Sequence, residues 1–274
     1  MYVYNQKSED LSYNNQPKYS FSTAGCIALF LIGWLGLKVI SFITQLIYIA
    51  CVGKNNIIDP STQSYYPNHA GWINFIIYVI AFIILISIFI GLDKKGFINK
   101  VKVFKDKNTY LTVLCFIAIY LIANYAYNFL VLIIERLGNI TVTSNDNQTS
   151  LNQIIKALPV PMFFMVVILA PICEELTYRQ GLFEAIRRKN EKAAIVITTL
   201  IFALIHFDFS GLITSYSNAL LINELINLPS YIIGGLILTL CYNKHNSIIE
   251  SILTHASINL ISYISIVIST FLIK

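Results

Sequence analysis

Six polar side chains sit where the surrounding sequence is apolar. Residues 171–182 read PICEELTYRQGL, and the run just before them, PMFFMVVILA, carries no charge. Glu174, Glu175 and Arg179 therefore lie within membrane-like sequence. So do His206 in FALIH (202–206) and the pair His255 and Asn259 in HASIN (255–259). An ionisable group at membrane depth costs about 2.5–3.5 kcal/mol on insertion scales, so each needs a reason to be there. Glu175 and Arg179 are four apart with the acid first, the favourable order for a helical pair, and can neutralise each other as a structural lock. Glu174 points about 100° away from Glu175 and is left without a cation. Its i+4 neighbour, Tyr178, can donate one hydrogen bond. A carboxylate in that position suits a group that takes up and returns a proton near neutral pH. Pro171, just upstream, removes a backbone hydrogen bond and loosens the helix, giving water a way to Glu174. His206 shares a helix face with Phe202, which reads as packing, and His255 shares one with Asn259, where two N–H donors cluster. A lone buried histidine is more often satisfied by a neighbour than catalytic. One unpaired base, one proton-sharing imidazole and two clustered donors together are what adding water to a carbonyl requires.

The elements that must hold these groups are membrane helices. The 274 residues are 56% hydrophobic and 12% charged, with a mean hydropathy of +0.67. Soluble domains carry roughly 25% charged residues. Apolar runs of about 20 residues recur, and their length and continuity indicate helices rather than a barrel. The expected fold is all-α, a polytopic transmembrane helix bundle of about seven spans: 25–52, 71–92, 110–134, 157–186, 193–207, 224–242 and 247–271. The stretch 208–222 reads as loop, re-entrant or interfacial, and 208–228 has room for an eighth crossing. Residues 1–150 comprise a polar tail and three spans of unassigned role. Residues 151–274 form a C-terminal four-helix core that carries the chemistry. Glu184, Glu224 and Glu250 lie near span ends, within reach of the interface. His69 and His245 fall in loops and are assigned nothing. Five scattered cysteines without a CxxC read as small apolar residues, not as a disulfide framework or zinc site. The first 20 residues lack the basic n-region of a signal peptide, so no cleavage is expected.

Charge sets the expected orientation. Segment 93–108 holds six lysines against two aspartates, and 187–192 holds four basic residues against one glutamate, whereas 53–70 and 135–153 are nearly neutral. By the positive-inside rule the N-terminus and both basic loops are cytoplasmic. The net charge of +5 sits in these short loops, which argues against nucleic acid as a partner and for the lipid bilayer. Glu174 lies about 20 Å along its helix from Arg187, His206 about 20 Å from Ala193, and His255 about 12 Å from Ser247. All three fall inside a ~30 Å hydrocarbon core. This shared depth band predicts convergence on one buried polar cavity that opens to the cytoplasm.

Taken together, Glu174-Glu175-Leu-Thr-Tyr-Arg179, Phe202-Ala-Leu-Ile-His206 and His255-Ala-Ser-Ile-Asn259 resemble the motifs EExxxR, FxxxH and HxxxN of the CAAX-type intramembrane endopeptidases. That family also includes bacteriocin-processing and immunity proteins. The similarity covers about 171–262. The chain departs from the usual pattern in having Tyr178 before Arg179, then Gln180 and Gly181, and a longer stretch after His206. The resemblance implies an intramembrane endopeptidase that hydrolyses a peptide bond in a membrane-associated protein or peptide. Glu174 and His206 would activate a water, and His255 and Asn259 would donate to the oxyanion. Glu175 and Arg179, with Tyr178 beside them, would support the helix. No cofactor is implied. Zinc is a lesser reading, since two Glu and two His could ligate it but no HExxH is present.

Other readings of the same residues are a non-catalytic, peptide-binding or bacteriocin-immunity membrane protein, and a proton-coupled transporter that relays protons through buried Glu and His. Four retained catalytic-type residues favour the enzyme over the first. The absence of an inverted repeat weighs against the second. The expected location is a bacterial plasma membrane, multi-pass.

Overall fold

The computed structural model of the chain describes residues 21–92, 94, 97, 100, 102–209 and 218–271. Its longer helices are α1 (Thr23–Val52), α2 (Pro67–Leu92), α3 (Lys107–Gly138), α4 (Asp146–Ala157), α5 (Pro159–Arg187), α6 (Glu191–Leu204), α7 (Asn218–His245) and α8 (Ile248–Phe271). Six of them, all but α4 and α6, are long and apolar enough to cross a membrane. The all-helical bundle expected from the apolar runs is thus observed.

The fifth expected span, 193–207, differs from a full crossing. α6 has 14 residues, about 21 Å at 1.5 Å per residue, which is short of a ~30 Å core. It stops at Leu204, and His206 lies two residues beyond that end. Residues 210–217 of the conjectured eighth crossing lie outside the described residues, and 218–228 form the first turns of α7.

Side-chain hydrogen bonds identify two faces. On one, Arg187 meets Asn243 at 3.4 Å and also Asn246, while Arg188 reaches the Phe21 carbonyl and Thr23. This is the basic face. On the other, Asn227 donates to the Thr143 carbonyl at 2.9 Å, Glu224 accepts from the Asp146 N–H at 3.0 Å, and Tyr48 pairs with His69 at 2.9 Å. Three glutamates expected near the interface are instead buried and partnered. Glu184 accepts from Arg187 at 2.6 Å and from Tyr242 at 2.7 Å. Glu224 holds the 143–146 segment against α7, and Glu250 pairs with His245 at 3.0 Å. Burial is tolerable here because each carboxylate is met by donors. All five cysteines are free.

α1 lies unusually close to α5. A Cβ on Gly181 would come within 2.9 Å of the Phe30 backbone nitrogen, and one on Gly33 would strike the Thr177 side chain. Small residues allow this approach of two membrane helices. Gly181→Val is therefore expected to lower stability by about 1–3 kcal/mol through overpacking, since backbone cannot yield as a side chain can. An unchanged melting temperature in detergent would contradict that.

Candidate active site

α5 is not a uniform helix. π-helical segments Phe164–Leu169 and Leu176–Phe183 flank six α-helical residues, Ala170–Glu175. Wide turns of this kind often mark functional sites. Pro171 gives the first one a specific consequence. The Ala170 N–H bonds to the Met165 carbonyl, five residues back. The next bond in that register would run from residue 171 to Val166, but proline has no N–H. Asn259 on α8 fills the gap, donating from Nδ2 to the Val166 carbonyl at 2.9 Å. Its carboxamide is thereby oriented with one N–H committed to α5 and the second still available. Pro171→Ala restores the competing backbone donor. The expected outcome is a normal fold with turnover lowered about tenfold or more, because displacing a positioned group by even ~1 Å is costly. Unaltered turnover would mean that Val166 does not set the position of Asn259.

Glu174 and Glu175 face different surroundings, as their 100° separation requires. Glu175 is fully buried. Its carboxylate accepts from Arg179 at 2.8 Å, from His255 Nδ1 at 2.9 Å and from the Ser251 hydroxyl. Arg179, equally buried, also donates to the Gly235 carbonyl at 3.2 Å, and its guanidinium lies 4.4 Å above the Phe202 ring. Glu174 is 17% exposed at its side chain and accepts from the Tyr78 hydroxyl at 3.4 Å. The donor expected from sequence was Tyr178. The structure replaces it with Tyr78 of α2, because the π segment widens the turn and directs the Tyr178 ring between Phe30 and Phe202.

Both histidines are held in a defined tautomer. His206 Nδ1 lies 2.8 Å from the Phe202 carbonyl, which can only accept, so that nitrogen carries hydrogen and the Nε2 lone pair remains for the cavity. Tyr231 stacks on the His206 ring at 4.6 Å and 16°. The Tyr231 hydroxyl donates to Asn145, and Asn145 donates to the His206 carbonyl at 3.3 Å while capping α4. The Nδ1–H of His255 goes to the Glu175 carboxylate, which leaves Nε2 3.9 Å from the second oxygen of Glu174. That gap is too long for a direct hydrogen bond and suits a bridging water.

Glu174, His206, His255 and Asn259 all line one cavity of about 270 Å³. Glu175 and Arg179 are packed behind it. Sequence reasoning missed Tyr78, Ser251, Tyr231 and Asn145. Ser251 was open to discovery, being one turn before His255, whereas the other three belong to α2, α7 and the start of α4 and carry no local signal. Among the described residues, no three His, Cys, Asp or Glu side chains gather as metal ligands would.

The expected opening toward the basic loops is corrected. On α5 the lining runs from Glu174 back through Ala170 and Val166 to Met165, and on α8 from His255 onward to Ile266. Asn147, Gln148, Leu151 and Ile155 of α4 form a further wall. The cavity thus lies between the polar cluster and the face opposite the basic one. Helical depth along single spans could not reveal this, because Glu174 is near mid-span and equally far from either side.

Residues 156–261 match the family described as type II CAAX prenyl endopeptidase Rce1-like. The UPF0177 protein YxdF of Lactococcus lactis is 30% identical over 179 residues, which cover 65% of this chain and 89% of that protein. The chain belongs to the Rce1-like CAAX endopeptidase family. A second Lactococcus lactis protein, UPF0177 protein YvdC, is 28% identical over 117 residues, covering 43% of this chain and 40% of its own length. An uncharacterized protein of Mycoplasma capricolum is 25% identical over 197 residues, covering 69% of this chain and 54% of its own. No solved structure matches. The family region spans α5 to α8 and contains all four cavity-lining motif residues.

Proposed function

We propose that the protein is an intramembrane endopeptidase that cleaves membrane-associated peptides with a Glu174-activated water. What carries the reading is the single cavity shared by Glu174, His206, His255 and Asn259. Glu174 removes a proton from water held between it and His206, whose Nε2 lone pair accepts the second water hydrogen. The oxygen adds to the peptide carbonyl carbon. Negative charge then develops on the carbonyl oxygen, to which Asn259 offers its remaining N–H. His255, its Nδ1–H held by Glu175, accepts at Nε2 from a bridging water, which offers its other O–H to the same oxygen. Glu174 returns its proton to the amide nitrogen as the C–N bond breaks, releasing a carboxylate and an amine. The resident groups supply every step without a cofactor. We place the protein in a bacterial plasma membrane, with the N-terminus and basic loops cytoplasmic.

The test is cleavage of a panel of membrane-anchored peptides by purified protein in lipid nanodiscs, with and without a chelator, beside Glu174→Ala. Cleavage that survives chelation and vanishes in the variant is expected. Loss on chelation would transfer the chemistry to a metal. No cleavage by folded wild type across the panel would favour peptide binding without hydrolysis.

A further inference from the structure

The cavity lies on the side of Glu174 away from the basic face formed by Arg187 and Arg188. Thirteen of the 19 Lys and Arg residues occur in 1–22, 93–108, 187–192 and at 244, whereas 53–66 contains one and 135–158 two. The basic face is therefore cytoplasmic by the positive-inside rule. From that side the cavity is closed. Phe202 and Leu238 form its floor with Tyr178 packed against them, each buried to 5% exposure or less. Behind them lies the Glu175–Arg179 pair, and beyond it the buried Glu184, Arg187 and Tyr242 group. On the other side the lining includes exposed residues, Asn147 on α4 and Ser262 on α8.

We infer that the site is loaded from the outer, non-cytoplasmic side, and that its ligand is a membrane-anchored peptide whose susceptible segment is displayed on that side. The class of ligand rests on the peptidase reading, and the route of entry does not. The mouth chemistry narrows the class. Apart from Glu174, His206 and His255, the described lining residues are uncharged, with amides at Asn147 and Gln148 and hydroxyls at Tyr120, Ser230, Tyr231 and Ser262. Such a surface can hydrogen-bond peptide backbone and neutral side chains. It provides no cation to hold a free C-terminal carboxylate or a phosphate. An internal, uncharged stretch of an exported chain fits these features better than a cytoplasmic C-terminus.

The deciding experiment uses thiol labelling. Only Cys51 and Cys115 are exposed among the native cysteines, so Cys51→Ser with Cys115→Ala gives a quiet background. Asn147→Cys and Lys189→Cys are added to it separately and treated with a membrane-impermeant sulfonated maleimide, on intact cells and after permeabilisation. Asn147→Cys should label in intact cells and Lys189→Cys only once the membrane is opened. The reverse order, labelling of both in intact cells, or no label at Asn147→Cys in either state overturns the inference. A second arm fuses one cleavable reporter segment to the outer or the inner end of a membrane anchor. Glu174-dependent loss of the outer reporter alone is expected, and cleavage of the inner reporter overturns outer loading. If labelling is as expected and neither reporter is cut, outer access stands and the peptidase reading fails.

Discussion

Glu174→Gln should abolish detectable hydrolysis, a fall of about 10²–10⁴-fold, while the folded yield stays near wild type. The substitution keeps shape and size but removes the base. Its structural cost is small because Glu174 is partly exposed to the cavity, and its neighbours are one long hydrogen bond from Tyr78 and the 3.9 Å approach of His255. Neither partner is a fully buried charge that would be stranded by the change. Turnover in nanodiscs and the monodispersity of the purified protein read the two effects separately. Retained turnover in a folded Glu174→Gln variant would eliminate this carboxylate as the base.

Glu175→Ala is expected to do the opposite and fail mainly in folding. Glu175 is a charge with no exposure, bound to Arg179, His255 and Ser251 at once. Removing it strands the buried Arg179 guanidinium, and breaking such a pair costs about 3–5 kcal/mol. Arg179→Ala should lose a comparable amount, since it leaves the Glu175 carboxylate with only neutral or histidine donors. In a marginally stable protein, this much is a large share of the total. Membrane-inserted yield and thermal aggregation in detergent measure it. Glu175→Gln separates the two roles of this residue. It keeps the volume and can still accept from His255, so a folded Glu175→Gln variant with slowed turnover would assign to Glu175 the positioning of His255 as well as the lock. Equal, near-normal yields for Glu174→Ala, Glu175→Ala and Arg179→Ala would contradict the division between base and lock.

Much of the candidate site was legible in the residues because the membrane makes polar groups expensive. Glu174, Glu175, Arg179, His206, His255 and Asn259 stand out against apolar neighbours, and spacings of four place partners on one helix face. The Glu175–Arg179 pair is local and was readable for that reason. The same apolar background made the long spans evident by length and hydropathy, and the charge of their loops indicated an orientation.

Tertiary structure decided what depends on contacts between distant segments. Glu174 takes its hydrogen bond from Tyr78, 96 residues away, rather than from Tyr178 in its own helix. No periodicity in either segment encodes that meeting. The backbone register of α5 was likewise hidden. Pro171 suggested loosening, but neither the π turns nor the hydrogen bond from Asn259 to the Val166 carbonyl could be read from a single segment. The length of α6 was overestimated because FALIH continues its apolar pattern past the point where the helix ends. Above all, depth along a single helix measures distance from both faces equally when a residue is near the middle. Only the packed walls of α4, α5 and α8, with Phe202 and Leu238 closing the other end, determine on which side of Glu174 the cavity lies.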